Sequence, residues 1–269
     1  MVQVIAHRGA RSIAPENTLK AAKIAHDTGA DLWETDVNIT RDGRLILFHD
    51  DTLLRCTNAL KRFPLKTSYR VKEFDLNEIK SLDAGSYFNK TDPFQEISKG
   101  NVSQKIRNSF MGEPIPLLEE GLLLTLQKNW TINLELKFFE GSVNNPYLPD
   151  HTLDIIRQTK IPLAQVIISS FHHPWLLRIM EKESQLEVQA LVGDNDTEPL
   201  DFKDFSFSTY NANAALIHPD QIKELKDRGK KINLFTVNDP REFSRFVDLG
   251  VDGMFTDFPQ RFAKKTRGK

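Results

Sequence analysis

The chain has 269 residues, of which 36 are basic and 37 acidic, so its net charge is close to zero. This balance gives no electrostatic reason to expect a nucleic acid or an anionic membrane surface as partner. The single cysteine, Cys56, cannot form an internal disulfide, and no cysteines and histidines have zinc-finger spacing. We therefore expect a single domain, residues 1–269, in a reducing cytoplasmic compartment.

We expect no leader at the start of the chain. His7 follows Met1 too closely to leave room for the basic and apolar regions of a signal peptide, although a chain whose leader had been removed would look the same. Nothing is long and apolar enough to cross a bilayer, so no integral membrane segment is expected.

Ionisable residues follow each of three short apolar runs in the first fifty residues. The run Val2–Ala6 precedes His7 and Arg8, the run Ala30–Trp33 precedes Glu34 and Asp36, and the run Leu45–Phe48 precedes His49. Apolar runs of this length are typical of buried strands. Polar side chains at three successive strand ends predict a functional site.

Strands and helices alternate along most of the remaining chain. Further strands are predicted at 131–137, 165–170, 187–192, 205–209, 232–237 and 254–256, and helices at 15–26, 117–128, 151–159, 174–183, 219–228 and 240–249. This alternation predicts a mostly parallel sheet, and about eight units favour a TIM-type (β/α)8 barrel of the α/β class over an open doubly wound sheet. The nine strands are one too many, and the link 36–45 is too short for a helix. We therefore expect an irregular early unit.

The alternation lapses in an insertion at about 51–112, after the third predicted strand. It holds one plausible helix at 76–82 and otherwise polar residues with isolated aromatic ones. So long a connection is unusual unless it forms a lid, a small subdomain or a disordered segment. We keep two hypotheses open: a lid over the site, which fits a segment that leaves directly after His49, and a solvated excursion.

Three carboxylates are predicted to converge. Side chains two apart on a strand share a face, so Glu34 and Asp36 project together, as do Glu135 and Lys137. Like charges in a barrel mouth raise one another's pKa unless a cation neutralises them. All-oxygen ligands favour Mg²⁺, Ca²⁺ or Mn²⁺ over zinc. An isolated acid is more often a surface group, but the apolar residues beside these acids argue against that alternative.

Two histidines and an arginine complete the pattern. His7 and His49 can act as acid and base near neutral pH, although a lone histidine is more often structural. Arg8 has the planar donors that suit phosphate, and Lys137 adds a point charge. From the pattern alone, Arg8 is as well explained as a salt-bridge partner of the acids.

Several segments of the chain resemble the signature of the glycerophosphodiester phosphodiesterase family. The matching segments are Ala6–Gly9, Ala14–Thr18, Gly29–Asp31, Glu34–Val37, Thr40–Gly43, His49–Leu53, Leu82–Gly85, Ile115–Glu120, Leu134–Lys137, Ser169–Phe171, Thr236–Asn238 and Gly250–Asp257. They stand in the family's order and spacing, and they span nearly the whole chain.

The resemblance implies a TIM-type barrel that hydrolyses glycerophosphodiesters to glycerol 3-phosphate and an alcohol, with a cyclic phosphate between the two steps. The site residues that it implies are His7 and His49 as acid and base, Glu34, Asp36 and Glu135 on a divalent metal, Arg8, Lys137, Phe171 and Phe235 on the substrate, and Glu16 and Asn17 in support. It implies a small-molecule substrate and no particular oligomeric state.

The chain departs from the family pattern at two places. Phe235 stands where the family usually has tryptophan, and Asn89–Ser109 lengthens a usually shorter link. Both bear on the choice of substrate. The alternatives are an enzyme like lysophospholipase D or phospholipase C acting on a lipid, for which the phenylalanine-bearing insertion is the hint, and two that do not depend on these departures: a barrel lyase or isomerase with an enolate intermediate, and an inactive barrel that acts as a binding protein.

Overall fold

The computed structural model of the chain describes residues 2–139, 147–194 and 199–266. In these residues, nine strands form one sheet with the order β1-β9-β8-β7-β6-β5-β4-β2-β3. The strands are β1 Gln3–Ala6, β2 Leu32–Ile39, β3 Leu45–Leu47, β4 Ile132–Leu136, β5 Val166–Ser170, β6 Glu187–Val192, β7 Thr209–Asn213, β8 Lys231–Phe235 and β9 Gly253–Thr256. Because β1 also pairs with β2, eight parallel strands close into a ring. The predicted TIM-type barrel is confirmed.

Helices surround the ring. Those described are α1 Leu19–Thr28, α2 Ala59–Arg62, α3 Leu76–Lys80, α4 Ser86–Thr91, α5 Gln104–Asn108, α6 Leu118–Gln127, α7 Leu148–Thr159, α8 His173–Lys182, α9 Pro219–Asp227, α10 Pro240–Asp248 and α11 Pro259–Thr266. The main core lies between them and the outer face of the strands, where residues such as Trp33, Leu134 and Leu234 are fully buried. None of the helices in the described ranges has the length and apolar character that a bilayer span requires.

The ninth strand explains the irregular early unit. β3 pairs antiparallel with β2, in the register Val37↔Leu47 to Ile39↔Leu45. A hairpin needs only a short turn, whereas a parallel connection needs a crossover of a dozen or more residues. β3 therefore lies outside the parallel ring.

The predicted boundaries of the first helix and of the seventh strand are wrong. The first helix begins at Leu19 rather than at Pro15, because the Thr18 hydroxyl caps it by accepting a hydrogen bond from the Ala21 amide. The seventh strand occupies Thr209–Asn213 rather than 205–209. Apolar periodicity misses it because buried Asn211 bonds with Asn233, so this strand lacks a continuous apolar run.

The insertion packs against the barrel through two apolar clusters. One joins Ile46 and Phe48 to insertion residues that include Phe74. The other joins Ala21 of α1 to residues that include Phe110. Buried aromatic side chains of this kind are not expected of a solvated excursion. The insertion therefore forms a packed layer beside the strand end that carries His49.

Candidate active site

The three predicted metal ligands come together at the barrel mouth. Glu34 and Asp36 lie within β2 rather than beyond its end, because pairing with β4 continues through Asp36↔Glu135 and Val37↔Leu136. Each of the three acids offers an oxygen within 4.8 Å of the others. The sequence therefore identified the cluster correctly but placed the end of the strand too early.

The buried negative charge of these three acids favours a bound cation. Glu34 is 2% exposed and Asp36 is fully buried. Burial beside Asp36 and Glu135 raises the pKa of Glu34 well above its usual value. Glu34 Oε1 and Asp36 Oδ1 are buried and have no hydrogen-bond partner. Orphaned buried carboxylate oxygens are costly, and a hard divalent cation would satisfy them, so these residues fit a metal site.

Asn17 holds Asp36 in place. Its side-chain nitrogen donates to Asp36 Oδ2 over 2.8 Å, and its oxygen accepts from the Thr35 hydroxyl over 2.7 Å and from the Asp36 amide over 3.2 Å. Asn17 adopts φ of 56°, a left-handed conformation that asparagine tolerates better than most residues. These contacts engage Asp36 Oδ2 and the Asp36 amide, and they leave Oδ1, which lies 3.7 Å from Lys137 Nζ, without a hydrogen bond and available to a metal.

His7 is oriented by an aspartate from the other end of the chain. Its Nδ1 lies 2.7 Å from Asp257 Oδ1, and Asn238 donates to the second Asp257 oxygen over 2.8 Å. Burial raises the pKa of Asp257, but His7, Arg11 and Asn238 together outweigh it and lower the pKa to about 2. An ionised carboxylate can only accept, so Nδ1 carries the hydrogen and Nε2 is left for chemistry. Burial and the charge of Arg8 lower the pKa of His7 itself.

His49 has the same arrangement with its own neighbour. Its Nδ1 lies 2.7 Å from Asp50 Oδ1. Burial would raise the pKa of Asp50, but hydrogen bonds from His49 and Arg55 lower it to about 2. Both histidines therefore present Nε2 as the free nitrogen, each with an ionised aspartate behind it.

The two predicted phosphate ligands are already engaged with acids. The Arg8 guanidinium contacts Glu16 at 2.9 Å and Asp36 at 3.3 Å. Lys137 contacts Glu135 at 2.6 Å and Asp36 at 3.7 Å. Arg8 is therefore a salt-bridge partner of the acids, as one of its two interpretations required. Both residues also line the cleft.

These side chains line an open cleft of about 150 Å³ at the mouth of the barrel. The predicted site residues that line it are His7, Arg8, Glu34, His49, Glu135, Lys137, Phe171 and Phe235. The Phe171 and Phe235 rings meet edge to face at 5.9 Å and form an apolar wall. Asp36, Glu16 and Asn17 lie behind the lining.

Sequence reasoning missed the partners of the histidines. Asp50 directly follows His49, and that adjacency was a usable signal. Asp257 lies 250 positions from His7. Only closure of the barrel brings them together, since β9 pairs with β1. Arg55 was missed because nothing in the pattern of the insertion distinguishes it from the other cations there.

Comparison with known proteins identifies the family. The profile of the glycerophosphoryl diester phosphodiesterase family matches residues 7–261. A glycerophosphodiester phosphodiesterase of Caldanaerobacter subterraneus is 33% identical, covering 98% of this chain and 97% of its own. One from Bacillus altitudinis is also 33% identical and covers 98% of both.

The fold is shared with solved structures. An Oleispira antarctica phosphodiesterase in complex with the product sn-glycerol-3-phosphate superposes with a TM-score of 0.80 and 26% identity, over 98% of this chain and 96% of that one. Together with the family profile and the two bacterial relatives, this places the chain by sequence and by fold. The chain belongs to the glycerophosphodiester phosphodiesterase family and is an enzyme of that family.

Proposed function

We propose that the chain hydrolyses glycerophosphodiesters to sn-glycerol 3-phosphate and an alcohol, with a divalent metal and with His7 and His49 as its acid and base. The observation that carries this proposal is that two histidines, each hydrogen-bonded to an aspartate, share one cleft with a cluster of three carboxylates. Two of these acids, Glu34 and Glu135, line the cleft, and Asp36 lies behind them. The product bound to the Oleispira relative agrees with it.

Glu34, Asp36 and Glu135 would hold the metal. With a divalent cation bound to these acids, a phosphoryl oxygen would be polarised and ionisation of a nearby hydroxyl would be favoured. Oxygen ligands suit Mg²⁺ or Ca²⁺, and also Mn²⁺. Asn17 supports the site by fixing the orientation of Asp36.

The two histidines would carry the protons. One Nε2 accepts the proton of the glycerol hydroxyl next to the phosphate, and that oxygen attacks phosphorus. The P–O bond to the alcohol breaks, and the other histidine protonates the departing oxygen. Water then opens the cyclic phosphate with the two roles reversed. The lowered pKa of His7 keeps it neutral at neutral pH, which is the form that a general base requires.

The other lining residues would bind the substrate. Arg8 and Lys137 face the cleft and match the negative charge of a phosphodiester. The wall of Phe171 and Phe235 suits the carbon skeleton of the glycerol or of the alcohol. Phenylalanine at position 235 makes this wall smaller than tryptophan would, which affects the choice of substrate rather than the bond that is cleaved.

Release of glycerol 3-phosphate from glycerophosphocholine and glycerophosphoethanolamine tests the proposal. A coupled glycerol 3-phosphate dehydrogenase assay should detect release with either diester. A diester that lacks the hydroxyl next to the phosphate should stay intact, because the internal nucleophile is missing. Turnover of lysophospholipids alone would point to a lipid enzyme instead, and no turnover of any diester would point to an inactive binding protein.

Limited proteolysis tests the lid hypothesis. Glycerol 3-phosphate should protect bonds within 51–112, because a lid would close over the occupied cleft and shield its own backbone. Cleavage sites elsewhere in the chain serve as the internal control. Equal cleavage of the insertion with and without the ligand would rule out a lid.

A further inference from the structure

Glu16 links three parts of the site. Its carboxylate is almost fully buried and accepts hydrogen bonds from Arg8 at 2.9 Å and from Arg11 at 2.9 Å. Arg8 also contacts Asp36, and Arg11 lies 3.4 Å from Asp257, the partner of His7. Burial would raise the pKa of Glu16, but the surrounding arginines hold it well below its usual value. Glu16 is therefore an ionised hub between the metal ligands and the His7 pair.

Arg55 of the insertion connects this hub to His49. Its two terminal nitrogens donate to both Glu16 oxygens, at 2.9 and 2.7 Å. Its Nε and one terminal nitrogen donate to both Asp50 oxygens, at 2.7 and 2.9 Å. One guanidinium thus donates hydrogen bonds to two carboxylates at once. The planar arrangement of donors in arginine permits this, whereas the ammonium group of lysine does not.

Asp50 is the carboxylate that orients His49, the proposed acid or base. Asp50 accepts from His49 Nδ1 through the oxygen that Arg55 also binds. Glu16 in turn is anchored by the barrel residues Arg8 and Arg11 and by the Tyr87 hydroxyl, which accepts from the Glu16 amide over 3.2 Å. The position of the His49 ring therefore depends on a chain of contacts that begins in the barrel and passes through the insertion.

We propose that Arg55 is a positioning residue that fixes His49 through Asp50 and couples it to the Glu16 hub. The proposal rests on the proposed function, since it assumes that His49 acts on the substrate. It gives the insertion a role in catalysis that does not require the insertion to move. Misplacement of a catalytic group by about 1 Å can lower a rate by on the order of 10²-fold.

The test compares R55A and R55K with R70A. Arg70 is a matched control, since its side chain is also 44% exposed and pairs with the neighbouring Asp51 at 2.8 Å, but it does not contact Asp50. R55A and R55K should lower kcat for glycerophosphocholine by about 10–10²-fold with KM within twofold. R70A should stay near wild type. Added guanidinium chloride should restore part of the activity of R55A, whereas ammonium chloride should not.

A second readout does not depend on turnover. In the wild-type protein the His49 Nδ1 proton should give a downfield NMR resonance typical of a short bond to a carboxylate, and R55A and R55K should weaken or lose it. Wild-type activity and wild-type resonance in R55A would overturn the proposal, as would an equal loss in R70A. If the wild type hydrolyses no diester, the proposed function fails, and the resonance alone decides whether Arg55 positions His49.

Discussion

Replacing His49 by alanine is expected to lower kcat for glycerophosphodiesters by about 10²–10⁴-fold, the contribution of one general acid or base. His7→Ala should have an effect of the same order. The double variant should lose less than the product of the two effects, because the two groups act in one concerted transfer. Initial rates from the coupled dehydrogenase assay measure these losses.

His26→Ala is the control for both variants. His26 lies on α1, contacts Trp130 edge to face and does not line the cleft. It should keep near-wild-type turnover. Near-wild-type rates in His7→Ala or His49→Ala would show that the acid and base are assigned to the wrong side chains.

A related prediction concerns Asp50 and Asp257, the aspartates that hydrogen-bond to the two histidines. Asp50→Asn and Asp257→Asn keep the size of the side chain but remove the charge that stabilises an imidazolium and fixes its tautomer. We expect a loss in kcat with little change in KM, since neither aspartate lines the cleft. A loss confined to KM would mean that these residues bind substrate instead.

Divalent cations are expected to stabilise the folded protein, and more strongly at pH 8 than at pH 5. Without a metal, burial beside Asp36 and Glu135 raises the pKa of Glu34 in the folded state. The metal-free fold then keeps a proton that the unfolded chain releases above about pH 4.3, so the fold loses stability as the pH rises from that value through the higher pKa of Glu34 in the folded state. A cation that replaces this proton restores the lost stability.

Thermal unfolding with and without Mg²⁺, Ca²⁺ or Mn²⁺ measures the effect. At a hundredfold excess over Kd, binding contributes about 2.7 kcal/mol, or on the order of 5–10 °C in Tm. Glu34→Gln should abolish the gain while leaving the metal-free Tm at pH 8 unchanged or higher. Glu96→Gln is the control, because Glu96 is also buried but pairs with Arg261 at 2.7 Å, away from the cluster. A gain that survives Glu34→Gln would place the cation elsewhere.

Local patterns in the sequence predicted most of the barrel and the cluster of acids. Parallel strands that are buried on both faces appear in the sequence as apolar runs. Val166–Ser170, which forms β5, is an example. The prediction of β7 was wrong because the buried Asn211 is held inside the ring by a side-chain hydrogen bond from Asn233 rather than by apolar packing. A rule based on hydrophobicity cannot recognise such a strand.

The contacts that shape the site lie beyond local patterns. Glu34 and Asp36 could be paired from their spacing on one strand, because side-chain direction alternates along a strand. The contact of His7 with Asp257 depends on the closure of β9 onto β1, and the contact of Arg55 with Glu16 depends on how the insertion packs. Sequence spacing therefore predicts which groups the cleft contains, and only the tertiary structure predicts which of them hold the others in place.

The most direct test of the metal-dependent phosphodiesterase is ³¹P NMR of glycerophosphocholine with the wild-type protein after EDTA treatment, before and after a divalent cation is restored. We expect the diester signal to persist without the cation and to convert to glycerol 3-phosphate once Mg²⁺, Ca²⁺ or Mn²⁺ is added. Full conversion by the EDTA-treated protein would contradict the role proposed for Glu34, Asp36 and Glu135.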